Sequence, residues 1–367
     1  MAKLVLHIGT HKTGTTAIQG ALDCNRSLLQ RQGLIYPWFP AAKPRQGSTA
    51  KRLWAGGRNR LAQAGLFSPV VGSFVGHHGL LSPWIELPEN LLSAATPDVL
   101  LQKLARTHAN SNRTVLLSSE EFSRSHAGRN GKGPNLTKIR DMIAPFSEIQ
   151  VVCFLRHQIP FLQSLYLEVS KTFIPPDPAK LCAQAIKSGY GAGMFMDFNL
   201  LHERLTEAFP TDQLTFIDYA QSAQSPQGVS GALLAAVGHG AVVDKLLLPG
   251  DGRANVSQPA LAVWAANQFP EPKLPRNNLL GLIKDTLQDH YGPDRATTIF
   301  NPAERSRMTT HFKRLNHNFE QKVATAQSTE RLPFQISPPE NVPLLCPEDL
   351  GKVFWSDLER AIAQEIS

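Results

Sequence analysis

Cysteine is scarce and scattered in this chain: four thiols, at positions 24, 153, 182 and 346, with no C-x-x-C pair among them. That spacing excludes a zinc knuckle and a disulfide framework and points to a reducing compartment. No apolar run approaches the roughly 20 residues that a membrane-spanning helix needs. The first apolar run is cut by Gly9 with no cleavage-type small-residue site after it, so it reads as a strand and not as a secretory signal. The expected location is the cytoplasm. Long Lys/Arg runs are also missing, and aromatics are 8% of residues and dispersed, which speaks against a nucleic-acid platform. No internal repeat or low-complexity tract is visible. What charge there is, 37 basic against 30 acidic side chains for a net +7, suits an anionic small ligand. Hydrophobic content of 42% and charged content of 18% over 367 residues are those of a globular protein with a sizeable core.

The most informative stretch lies near the start, from Leu4 to Thr16. An apolar run enters Gly9, a polar loop carries Gly14, and a helical pattern follows over residues 17–30. Strand, glycine loop and helix start in that order form an anion cradle, because first-turn amides have no intrahelical partner. Gly9 and Gly14 have the G-x-x-x-x-G spacing of a nucleotide-binding P-loop. The lysine is displaced, however: Thr15 stands after the second glycine and Lys12 two residues before it. A plain glycine turn at a strand–helix junction is the competing reading of the loop alone.

Three further apolar runs read as strands: 114–120, 149–155 and 214–219, with a short one at 33–37. Helical patterns occupy 99–109, 137–146, 161–166, 198–209, 227–237 with Gly238 as its cap, 259–268, 302–326 and 352–366. Continuous apolar strands alternating with helices predict an α/β fold: a central parallel sheet of P-loop type flanked by helices. The basic charges of 302–326 read as a solvated face, and the proline-rich 333–347 as an extended arm. Residues 39–97 form an irregular insert, and 258–367 a helical and extended C-terminal part, within one domain spanning 1–367. In open α/β sheets ligands sit beyond the carboxyl ends of the strands. Ser118, Ser119, Glu120 and Glu121 would therefore face the loop, or else cap the next helix. Arg156 closes the next strand, and Ser164 lies eight residues on. The insert holds His77 and His78, an adjacent pair of the kind ordinarily found on surfaces. An insert of this sort often shapes an acceptor pocket. Ser257, in Arg253-Ala-Asn-Val-Ser257, reads as the N-cap of the helix after it.

Lys12-Thr13-Gly14-Thr15-Thr16 resembles the donor loop of sulfotransferases that use 3′-phosphoadenosine 5′-phosphosulfate (PAPS). Arg156 with Ser164, on a strand–turn–helix, resembles their second signature. The resemblance covers about residues 4–220 and departs from the cytosolic members in lacking an Arg-Lys-Gly near the C-terminus. It implies a PAPS-dependent enzyme with no metal. His11, Lys12, Thr13, Gly14, Thr15 and Thr16 would hold the 5′-phosphosulfate, and Arg156 and Ser164 the 3′-phosphate. Lys12 would act in catalysis, with Glu120 or His78 as general base and Glu121 as a third candidate. The implied acceptor is a small-molecule hydroxyl or amine, or by family precedent a glycan. The alternative is a P-loop kinase or other phosphotransferase, which wants magnesium and a strand-closing Asp. Asp218 has the nearest look of one.

Overall fold

The computed structural model describes residues 2–42, 59, 76–125, 133–249, 258–269, 274–326, 334–339 and 342–366. Ser257 and residues 250–256 before it lie outside them. The chain forms two compact units, one of Met1–Arg156, Gly193–Ala254 and Leu315–Ser337, the other of His157–Ala192, Asn255–Arg314 and Pro338–Ser367.

The first unit is built on a five-stranded parallel sheet. Its strands are β1 (Lys3–His7), β2 (Leu34–Ile35), β3 (Thr114–Ser118), β4 (Glu148–Leu155) and β5 (Leu214–Asp218). They stand in the order β2-β3-β1-β4-β5, and helices complete the α/β architecture that the alternation of patterns predicts. β1 pairs in register with β3 on one side and β4 on the other, Val5 facing Leu116 and Gln150. Leu4, Val5, Leu6, Val115, Leu116, Leu117, Val151 and Val152 are all buried, so both faces of the centre are covered and the unbroken apolar runs are explained. On one face Val5, Leu116, Val152 and Phe154 pack with Ile18 and Leu22 of the helix after the glycine loop and with Leu233 and Leu234 of the helix Gly228–Ala236.

Several boundaries differ from the sequence reading, each for a local reason. The helix expected over 17–30 starts earlier and breaks in two, into α1 (Thr15–Cys24) and α2 (Arg26–Arg31). The break is at Asn25, whose fully buried amide donates to Ala21 O at 2.7 Å and Leu247 O at 2.8 Å, while its Oδ1 accepts from Leu247 N–H at 3.0 Å. The side chain competes with the helix ladder for backbone groups and clips a distant segment to it. β3 stops at Ser118 because Ser119 caps a short 3₁₀ turn, Glu120–Ser123, accepting from the Glu121 amide at 3.2 Å. β5 stops at Asp218, which caps the following turn in the same way. Within the insert, the described residues close on themselves through a bridge between Ala41 and Ser93 and make short turns at His78–Leu81 and Glu89–Leu91.

The second unit is helical. Its core gathers Leu261, Ala265, Leu279, Ile283, Phe354 and Leu358 from the helices Ala260–Ala266, Arg276–Tyr291 and Lys352–Ile366. The helices Pro178–Ser188 and Arg276–Tyr291 were not anticipated. Asn267 Nδ2 donates to Tyr166 Oη and Ser170 Oγ, both at 2.9 Å, and Arg276 donates to Asn267 Oδ1 at 2.7 Å. Part of the proline-rich arm runs extended, Leu345 pairing with Ala296 and Thr298. The helix Pro302–Ala326, whose residues from Leu315 on belong to the first unit, exposes Arg307, Lys313, Arg314 and Lys322 as expected of a solvated face, and buries Met308, Phe312, Phe319 and Val323. No helix among the described residues is long and apolar enough to cross a membrane. None of the four cysteines is in a disulfide and all are buried, and burial pushes the Cys24 thiol up to about 12.

Leu116, fully buried at the centre of the sheet, tests which packing holds the first unit. Leu116→Ala is expected to cost about 2–5 kcal/mol in urea unfolding, as truncations of a rigid core do. A loss under about 1 kcal/mol would mean that the sheet centre is not the tightly packed core described.

Candidate active site

β1 leaves the sheet at its carboxyl end through a loop that stays bonded to β4. Ile8 N–H donates to Val152 O at 2.9 Å and Thr10 N–H to Phe154 O at 3.1 Å. Thr13 Oγ then donates to the Thr10 carbonyl at 2.5 Å, folding the loop over itself. Lys12 sits at φ 63° and Gly14 at φ 80°, the first an uncommon conformation for a side-chain-bearing residue. Gly14 is the N-cap of α1 and gives it no side-chain cap, and no acidic residue stands in the first turn. The start of α1 is therefore an open set of N–H donors at the positive end of the helix dipole. A Cβ on Gly14 would press on Val229 at 3.0 Å, so the loop lies directly on the helix behind it.

Arg156, just past β4, reaches this loop: its Nη1 donates to Lys12 O at 3.3 Å, and its guanidinium lies 5.2 Å from the Tyr219 ring centre. Burial lowers its pKa from the ordinary value, with Tyr219 partly opposing. A cation held out of water in this way favours an anion beside it. Seven buried side-chain polar atoms among the described residues have no hydrogen-bond partner, and three belong to this region: His7 Nε2, His11 Nε2 and Thr15 Oγ1. A Cβ on Gly9 would come within 2.9 Å of His7 Nε2, 3.0 Å of Thr13 Oγ1 and 3.5 Å of Thr15 Oγ1. Orphaned donors gathered at an uncapped helix start fit a phosphate-bearing ligand. Thr16 is exposed on the same turn.

The carboxyl end of β3 supplies the acidic side. Glu120 Oε2 lies 3.8 Å from His78 Nδ1 and 3.5 Å from Gln19 Nε2 of α1. His78 Nδ1 is 2.8 Å from Ser119 Oγ. Glu121 turns to Arg124, which chelates its carboxylate with Nε and Nη2, and its Oε1 is 3.8 Å from His11 Nε2. Burial is the main cause lowering the His11 pKa, with Glu121 and Glu120 opposing, so its ring is neutral at neutral pH. Glu121 is thus engaged by a cation, whereas Glu120 and His78 stand together. At this strand end Ser119 caps the 3₁₀ turn, Glu121 lies beside His11 of the loop, and Ser123 Oγ donates to Glu120 O at 2.8 Å and lies 3.4 Å from Gly9 O.

The two histidines of the insert are not surface residues. His77 is 1% exposed and His78 8%. His77 Nδ1 accepts from Ser118 N–H at 2.9 Å, its own N–H donates to Ser118 O at 2.9 Å, and Nε2 donates to Pro37 O at 3.0 Å. Tyr36 and Phe39 pack edge-on against the ring. His77 is a structural peg that fixes the insert to β3 and delivers His78 to Glu120. The sequence gives no sign of this, because the contact joins residues 41 positions apart.

Sequence reasoning also missed His7, Gln19 and Tyr219. A histidine inside an apolar strand immediately before the loop glycine, and a glutamine on the buried side of α1, were the available signals. His7 Nδ1 is 2.8 Å from Ser118 Oγ, and Gln19 Nε2 approaches Ser118 O and Oγ at 3.3 and 3.4 Å. Ser164 lies on the helix Gln158–Val169 of the second unit and is nearly buried. Asp218, the strand-closing carboxylate, is engaged within the protein: it accepts from Gln221 N–H at 2.8 Å, Ser337 N–H at 3.0 Å and Ser337 Oγ at 2.8 Å. Among the described residues no three His, Cys, Asp or Glu side chains group as metal ligands.

No protein-family model matches this chain, and no curated protein does. Among solved structures it is similar to a sulfotransferase from Alicyclobacillus acidocaldarius, at 16% identity over 75% of this chain and 93% of that one, with a TM-score of 0.36. That similarity is too weak to carry a function across.

Burial holds both His7 and His77 near a pKa of about 3, well below the ordinary 6.5. The unfolded chain takes up protons at these sites that the native state refuses. Their contribution is intact above about pH 6.5 and is lost as pH falls toward 3, at about 1.4 kcal/mol per pH unit for each ring. Urea unfolding across this range should show a shallower pH slope for His77→Gln than for the parent. Equal slopes would mean that His77 titrates alike in both states.

Proposed function

We propose that the chain is a sulfotransferase that moves a sulfuryl group from PAPS to a hydroxyl or amine, with glycans the acceptor class to test first. The observation that carries this reading is the lysine-bearing glycine loop with an uncapped helix start, on which the Arg156 guanidinium bears directly. In this reading the Thr13 and α1 amides with the Thr15 and Thr16 hydroxyls hold the 5′-phosphate, with His11 beside them, while the Thr13 hydroxyl braces the loop on Thr10 O. Lys12 stabilises the charge that collects between phosphate and sulfonate as the bond between them breaks. Arg156 binds the 3′-phosphate, the role the resemblance also implies for Ser164. Glu120 takes the proton of the acceptor as the new S–O or S–N bond forms, and the bisphosphate leaves with the electron pair of the broken S–O bond. His78 flanks Glu120 and is the second candidate for the base.

The donor half is tested by calorimetric titration with adenosine 3′,5′-bisphosphate in EDTA, against ATP and GTP with and without magnesium. Metal-independent binding of the bisphosphate, tighter than either triphosphate, is expected. Magnesium-dependent preference for a triphosphate would put a phosphotransferase in its place. Arg156→Ala is expected to erase most of the preference for nucleotides bearing a 3′-phosphate; a preference that survives intact removes that role from Arg156.

Lys12→Ala should lower turnover by about 10²–10³, the usual effect of losing a charge-stabilising donor. Glu120→Gln should suppress transfer with nucleotide affinity near that of the parent. A fully active Glu120→Gln beside an inactive His78→Asn would hand the proton transfer to the histidine.

A further inference from the structure

Glu120 is not held by its own strand end alone. Its carboxylate is approached by the Gln19 amide, and Gln19 stands one helical turn after Thr15 on the helix whose start is the anion cradle. The same amide nitrogen reaches Ser118 O and Oγ, and Ser118 Oγ reaches His7 Nδ1. His7, Ser118 and Gln19 are 0%, 0% and 2% exposed, so water does not compete for these groups. The directions of the bonds follow from the donor inventory. The Gln19 NH₂ can only donate, and His7 Nδ1 is the one acceptor within reach of the buried Ser118 hydroxyl among the described residues, so Ser118 Oγ accepts from Gln19 and gives its own hydrogen to His7 Nδ1. His7 is then the Nε2–H tautomer. That N–H belongs to the atom that a Cβ on Gly9 would meet at 2.9 Å, directly under the loop.

We propose that Gln19 is the positioning residue for the Glu120 carboxylate, and that the chain His7–Ser118–Gln19–Glu120 ties the general base to the floor of the donor loop. This rests on the sulfotransferase reading for the role of Glu120, but the chain itself does not. The second support is steric. A Cβ on Gly76 would fall within 2.6 Å of His78 Nε2 and 2.7 Å of Gln19 Nε2, so the insert passes against both groups that flank Glu120. A residue there larger than glycine would push Gln19 and His78 off the carboxylate. The base is thereby fixed from two sides, by the cradle helix and by the insert, as preorganised catalytic groups are.

The test uses the full chain, labelled with ¹⁵N-histidine. Long-range ¹H–¹⁵N spectra of the free protein should show His7 as the Nε2–H tautomer. Gln19→Leu, close in size and without donors, should leave His7 in mixed tautomers. In turnover of PAPS with water as acceptor, read as release of adenosine 3′,5′-bisphosphate, Gln19→Leu should lower kcat by about 10- to 100-fold. Affinity for the bisphosphate should stay within about twofold, and Glu120→Gln should add no further loss, as for residues acting through one another. If Gln19→Leu does not fold, Ser118→Ala breaks the same chain by removing one hydroxyl and should give the same pattern. Nδ1–H at His7, fully additive losses, or kcat and affinity falling together would overturn the proposal. Failure of the parent protein to bind the bisphosphate would instead remove the sulfotransferase reading, and the tautomer would still decide whether the chain of bonds exists.

Discussion

A parallel strand cannot turn back on itself, and β1 is pinned between β3 and β4 by a register that includes every residue from Lys3 to His7. The chain must therefore leave over the carboxyl edge of the sheet and return as a helix. The turn that does this is tight. It keeps hydrogen bonds to β4 through Ile8 and Thr10, accepts a left-handed Lys12, and delivers α1 with no cap. An uncapped helix start is a local deficit of hydrogen bonds, and the same deficit makes a good anion site. The neighbouring strand ends are brought to that point by the sheet order: β4 contributes Arg156 and β3 contributes Glu120.

The fold could be read from the sequence because its signals are local. Continuous apolar runs marked the buried parallel strands, and the spacing of Gly9 and Gly14 marked the strand–loop–helix. Where the reading failed, the cause was non-local. Nothing in the periodicity of 17–30 warns that Asn25 will spend its amide on Leu247, 222 residues away. A glutamine and a histidine in apolar elements look like ordinary exceptions until the sheet brings Ser118 between them. His77 and His78 are the clearest case. Two adjacent polar rings in an irregular insert look exposed, yet one is buried by matching a donor and an acceptor to a strand end and the other by a serine and a carboxylate.

Of the candidate site, the loop residues and Arg156 were legible as residue types in a plausible order, and the structure brings Lys12 and Arg156 within a hydrogen bond of each other. The choice among the acidic residues was not legible, because it depends on what each carboxylate faces. Glu120 and Glu121 are adjacent in sequence, but the 3₁₀ turn begun by Ser119 sends one toward His78 and Gln19 and the other into an arginine chelate. Strand alternation alone could not have separated them, since the strand ends before either residue.

The carboxylate of Asp218, with three donors on it, bears on the order in which the protein is made. Two of its three donors come from Ser337, 119 residues further along. During vectorial synthesis every strand of the sheet has emerged once residue 218 is out, and the helix Gly228–Ala236 that backs the cradle follows soon after. The edge strand, however, ends in a charged group whose serine partner has not yet been translated. Until the polypeptide reaches residue 337, that carboxylate has only the Gln221 amide and solvent. Ser337 is the last residue of the first unit, so a nascent chain stalled short of it would leave the end of the edge strand without two of its three hydrogen-bond donors.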